Sequence, residues 1–147
     1  PPRTAHQAGI AGGVWHEERL TGAPMLDWRE YADLAFYGVI VLAQSGQDDE
    51  ARALYRETLA TFDGAGFIDK ASGNRHSYAT YKLALALLAA SMLGEPLDAA
   101  VLAALLDHQA PSGGFYALYE TENVNDPNVE TTAYSILALM KTAHETK

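Results

Sequence analysis

Asp33, His76 and Glu130 are the side chains of this sequence best suited to trading protons, and the hydroxyls of Ser77, Tyr78 and Thr131 stand beside them. Each lies within three residues before one of three alanines, Ala35, Ala79 and Ala133, and each alanine leads into an apolar run. If those runs are helices sharing one direction, their first turns meet at a common mouth. An acid, a base and hydroxyls around an aromatic-lined opening suit general acid–base work on a sugar or similar polyol. Trp15, Phe67, Tyr78, Tyr81, Phe115 and Tyr116 are the rings available for stacking. A plainer reading stands beside this one. Glu130 and Thr131 also fit as capping or dipole partners at a helix start, and His76 as a hydrogen bonder between loop and helix. Asp33 precedes Leu34-Ala35-Phe36 and therefore needs a buried partner. A glycine before an aromatic ring is in general a packing device, because glycine permits close approach.

Composition removes several chemistries. The 147 residues carry a net charge of −9 and no basic run, which argues against nucleic acid or an anionic membrane as partner. The chain has no cysteine, so disulfides, thiolate zinc sites and cysteine nucleophiles are excluded. No His-x-x-x-His or similar metal spacing, phosphate-cradling glycine loop or Gly-x-Ser-x-Gly elbow occurs. The oxygen-rich stretch 120–128 lacks the glycine of a calcium loop and reads as a solvated turn. No metal or cofactor is therefore expected. No apolar run approaches the roughly 20 residues of a bilayer span. The chain opens Pro-Pro-Arg, without Met or a signal-like segment, and is expected to be processed or a piece of something longer.

The elements that must hold these residues are helices. Asp27 to about Gln44, apolar all round from Leu34 to Ala43, and His76 to Leu93, apolar nearly all round, should be buried on every side; Gln47 to Phe62 has a single apolar stripe. Pro96 to His108 and Val129 to about Glu145 complete five, the last with Val129, Ala133, Ile136, Leu137 and Met140 on one face. Asp126-Pro127 is expected to start that last helix. Gly13, Gly66 and Gly114, each before or near an aromatic ring, recur at about 50 residues, giving three units of outer helix, glycine-aromatic loop and inner helix, the first expected to lack its outer helix. His6-Gln7-Ala8 before Gly12-Gly13 echoes His108-Gln109-Ala110 before Gly113-Gly114. The alternatives are a generic five-helix bundle and a TPR-like array; the latter repeats at about 34 residues, which does not fit.

Gln109, Gly113, Gly114, Phe115, Thr132, Ala133 and Leu139, with weaker copies upstream, resemble the repeats of the α/α-toroid superfamily of terpenoid cyclases and protein prenyltransferases. The resemblance implies an all-α fold, here a partial α/α toroid of about five helices over residues 1–147. It does not carry either activity across: there is no Cys for a prenyltransferase zinc, and Asp48-Asp49 is not the Asp-x-Asp-Asp of squalene-type cyclases. Phe115 with Glu130-Thr131-Thr132 is more weakly similar to six-hairpin glycoside hydrolases, which implies a sugar as ligand.

The expectation is a small polar ligand, carbohydrate first, bound or processed at the mouth, with Asp33 and Glu130 as acid and base, His76 assisting, and Trp15, Phe67, Tyr78, Tyr81, Phe115, Tyr116 and Thr131 in contact with it. A non-catalytic helical scaffold and an isoprenoid site without zinc are the competing readings. A part-toroid also leaves apolar flanks. The chain is therefore expected to form a homo-oligomer or dock against a missing domain through Phe36, Ile40, Ile136 and Met140.

Overall fold

The computed structural model describes residues 5–11, 14–20, 25–72, 77–120 and 126–145, with side chains from 25–72, 77–120 and 126–141. Its described part is mostly helical. The helices are α1 (Ala32–Gln44), α2 (Asp48–Leu59), α3 (Thr80–Leu93), α4 (Ala99–Asp107) and α5 (Val129–Glu145), with a 3-10 turn over Trp28–Glu30. α3 is the centre, packing against each of the other four. Its sequence explains this. After Lys82 the run Leu83–Leu87 is buried without interruption, as are Ala89, Ala90 and Leu93. Gly94 then ends the helix in the left-handed region at φ 63°.

α2 buries Ala51, Leu54, Tyr55 and Thr58 and leaves its charges outside, as its single stripe requires. α1 is less enclosed than its composition suggests: Ala32, Ala35, Phe36 and Val39 are buried, but Val41 is exposed. Phe36 lies wholly inside the chain's own core, against Tyr55 and Phe67, and Ile40 packs at that core's edge. Ile136 and Met140 are exposed, so the expected four-residue contact surface is divided between core and surface.

Several boundaries differ from expectation for visible reasons. α1 starts at Ala32 because Tyr31 is extended after the 3-10 turn. α3 starts at Thr80, not His76, because Tyr78-Ala79 (β3) pairs antiparallel with Leu118-Tyr119 (β4). α4 starts after Asp98, whose carboxylate accepts from Ala100 and Val101 N–H at 2.9 and 3.1 Å. α5 begins where expected, but its cap is Asn128, whose side chain accepts from Thr131 N–H at 2.7 Å, rather than Asp126.

The stretch read as a first glycine-aromatic loop is instead a hairpin. β1 (Ala5–Ala11) and β2 (Val14–Leu20) pair antiparallel, with Ala11 opposite Val14. Two equal runs flanking Gly-Gly are a hairpin signal, and here it outweighs the likeness to 108–115.

The other two glycine-aromatic steps are close-packed, Gly66 against Tyr78 of β3 and Tyr119 of β4, and Gly114 against Pro127 ahead of α5. A Cβ on Gly66 would lie 2.4 Å from the Tyr78 ring and 2.7 Å from the Tyr119 hydroxyl; one on Gly114 would lie 2.9 Å from Pro127. Gly66→Ala should therefore lower stability by about 2–3 kcal/mol through overpacking, read by urea unfolding. A change below about 0.5 kcal/mol would show that this approach is looser than described.

Candidate functional site

α1, α3 and α5 each carry a polar residue at their second helical position: Asp33, Tyr81 and Glu130. Counting from the helix starts puts these three residues in one register. The alanine alignment slips, because Ala79 caps α3 while Ala35 and Ala133 lie inside their helices. At the sixth position α1 and α5 both present tyrosine, Tyr37 and Tyr134, one turn beyond the two carboxylates.

These residues meet. The Tyr81 hydroxyl donates to Asp33 Oδ2 at 2.8 Å, and the Tyr37 hydroxyl donates to that of Tyr134 at 2.6 Å. The Tyr134 ring lies 6.3 Å from that of Tyr37, edge-on, and 6.4 Å from that of Tyr81. All four side chains are half-buried, which leaves each partly open to solvent. Burial, then the Asp33 hydrogen bond, hold the Tyr81 phenol well above the usual phenol range. Burial, then Tyr134, and the nearby carboxylates Glu130 and Asp33 do the same for Tyr37. Both phenols therefore stay protonated at ordinary pH and act as hydrogen-bond donors, not as bases.

Proton bookkeeping shows what the cluster can still bind. One proton holds the Tyr37–Tyr134 pair together, so the other hydroxyl proton of that pair has no acceptor among the described residues. Asp33 Oδ1 likewise accepts nothing among the described residues, since Tyr81 uses Oδ2. A donor and an anionic acceptor are left beside half-exposed rings. No family model, curated protein or solved structure matches this chain. The geometry of the site must therefore carry its interpretation.

The other expected site residues are dispersed. Glu130 is exposed at the rim. Phe67, Phe115 and Thr131 are buried, the two rings in the core and Thr131 beneath Ser135, whose hydroxyl donates to the Thr131 carbonyl at 2.8 Å. Tyr78 is also buried: its hydroxyl donates to Asp63 Oδ2 at 2.5 Å, and burial and that carboxylate push its phenol up to about 12. Tyr116 is half-buried and bridges Pro127 through its backbone. His76 lies outside the described residues, as does the side chain of Trp15 in β2.

A second cluster escaped the sequence reading. The Tyr119 hydroxyl donates to the Ala65 carbonyl at 2.8 Å, and its ring stacks on His108 at 3.6 Å between centroids. Both line a cleft of about 380 Å³ with Asp107 and Glu120. Among the described residues no group of three His, Asp or Glu side chains is arranged to hold a metal, and no helix is long and apolar enough to cross a membrane.

Proposed function

We propose that the face shared by the first turns of α1, α3 and α5 binds a small polyhydroxylated ligand, a carbohydrate in the first instance. The observation that carries this reading is the convergence of Asp33, Tyr37, Tyr81 and Tyr134 from three helices, leaving one phenol proton and one carboxylate oxygen unengaged among the described residues. A sugar's hydroxyls supply the complementary chemistry: one accepts from the phenol and another donates to Asp33. The tyrosine rings offer apolar surface to the sugar's C–H faces. The order α1–α3–α5, with α2 against α1 and α3 and α4 against α3, supports reading the helices as part of an α/α toroid with this face as its mouth. Asp33 and Glu130 are then the carboxylates placed for acid–base work. An isoprenoid site is less well supported, because Phe67 and Phe115, which would wall it, are buried in the core.

A panel of neutral and amino sugars and short glycans, scored by thermal shift and titrated calorimetrically, tests the reading. A ligand should emerge whose affinity falls about ten- to a hundredfold with Asp33→Ala, which removes a charged acceptor, and about two- to tenfold with Tyr134→Phe. Circular dichroism should be unchanged in both variants. A ligand bound equally by wild type and both variants removes the site, and the absence of any ligand across the panel removes the carbohydrate reading. Glycoside hydrolysis abolished by Asp33→Asn and Glu130→Gln would extend binding to turnover.

A further inference from the structure

α5 turns its apolar residues away from its own core. The side it buries against α3 carries Thr131, Ser135 and Ala138, while Val129, Ala133, Ile136, Leu137 and Met140 are exposed on the opposite side, Val129 at 87% and Met140 at 57%. A helical period of 3.6 residues places the two stripes about 180° apart. A groove of about 470 Å³, lined by Gly114, Pro127, Thr132, Ala133 and Ile136, continues the exposed stripe toward the 111–114 turn. Val129 near the helix start and Met140 three turns on make this a continuous face of the kind that marks an interaction site.

We propose that this face of α5 pairs with α5 of a second copy of the chain, antiparallel about a two-fold axis beside Ala133–Leu137. Its self-complementarity singles out a second copy as the partner. In that register Ala133 lies opposite Ile136 and Leu137 of the other copy, small against large, and Val129 lies opposite Met140. The charges agree as well. Glu130 and Lys141, both exposed, fall on the same flank of the stripe. In an antiparallel pair equal flanks face each other, so each Glu130 meets the other copy's Lys141, and symmetry makes the pair twice. Two chains of net charge −9 repel at long range, so a specific contact gains from attractive pairs at its edge. The groove beside the stripe supplies area that one helix lacks, since a stable contact takes about 800 Å² per partner. This inference shares Glu130 with the ligand reading but rests on the apolar stripe of α5, and its test needs no ligand.

Sedimentation velocity on the wild-type chain should show a dimer in the micromolar range. Ile136→Glu, at an exposed position where folding is unaffected, should give a monomer with unchanged circular dichroism. Glu130→Lys should weaken the dimer about three- to tenfold, and adding Lys141→Glu should restore it. The chain has no cysteine, so oxidative crosslinking reads the orientation directly. A mixture of Val129→Cys and Met140→Cys chains should crosslink. Val129→Cys alone should not, because the two copies of that residue would lie about 16 Å apart along the helix axis at about 1.5 Å per residue. A wild-type monomer at about 0.1 mM overturns the proposal. So does a dimer indifferent to Ile136→Glu, or Val129→Cys crosslinking to itself.

Discussion

Replacing Asp69 by alanine is expected to cost about 3–5 kcal/mol, the range for stripping one partner from a buried ion pair. Lys82 Nζ meets Asp69 Oδ2 at 2.5 Å, with only 7% and 3% of the two side chains exposed. The carboxylate does more than neutralise the ammonium. Oδ2 also accepts from Ala32 N–H at 2.8 Å, the first amide of α1, and Oδ1 accepts from Ala71 and Ser72 N–H at 3.0 and 2.9 Å. Asp69 thus ties three segments together: the loop after α2, the start of α1, and α3. Alanine there would leave an uncompensated charge in the core and unsatisfied amides around it. Asp69→Asn with Lys82→Met removes the buried charge and keeps one acceptor oxygen for the Ala71 and Ser72 amides, but turns an NH2 toward the Ala32 N–H, so it should regain only part of the loss. Urea unfolding measures all three chains; a loss below about 1 kcal/mol for Asp69→Ala would contradict the burial of the pair.

The same residue sets an acid limit. Burial alone would raise the Asp69 carboxyl, but the Lys82 hydrogen bond, the Ala32 and Ser72 amides and the Lys82 charge outweigh it, and the group is held below the usual carboxylate range. Its ionised form is therefore favoured by folding. The associated stability is fully present above the unfolded value of about 4 and is lost as pH falls through the lower folded value. In Asp69→Ala that part of the acid dependence should vanish.

The helices were legible where pattern and burial coincide. The Leu-Ala run of α3 is buried as it reads, and the stripe of α2 faces inward. α5 shows why pattern alone is not enough. Its apolar period correctly indicates a helix, but the buried side is the small, polar one, Thr131-Ser135-Ala138, which allows close approach to α3. Periodicity identifies a stripe without saying what covers it. Asp33 and Glu130 were legible as acids leading into the inner helices, whereas Tyr81 read only as a stacking ring because its helix was expected to start at His76 rather than Thr80. Tyr37 and Tyr134 were missed although each lies one turn after an acid, because the alanine alignment hid their common register. The Asp69–Lys82 pair spans a loop and has no spacing rule; its one signal is a lysine opening an otherwise apolar helix.

Phe67→Ala should lower stability by about 3–5 kcal/mol while leaving ligand affinity at the Asp33–Tyr134 cluster unchanged. Phe67 follows Gly66 and reads in sequence as a stacking surface for a ligand. In the fold it is 2% exposed and lodged between Phe36, at 5.1 Å and nearly perpendicular, and Phe62, at 5.4 Å. Phe36 in turn packs on Tyr55 of α2, so the Phe67 ring joins the loop after α2 to both α1 and α2. Removing it opens a cavity at that junction, which the neighbouring Phe36 and Phe62 rings fill only partly. Ile68 N–H bonded to the Thr61 carbonyl at 3.0 Å and the Phe62–Phe67 bridge hold the loop backbone in place, so the loss comes from the side chain. Denaturant unfolding gives the stability change, and titration of the folded variant gives the affinity. A stable Phe67→Ala chain with weakened ligand binding would return this ring to the site and remove it from the core.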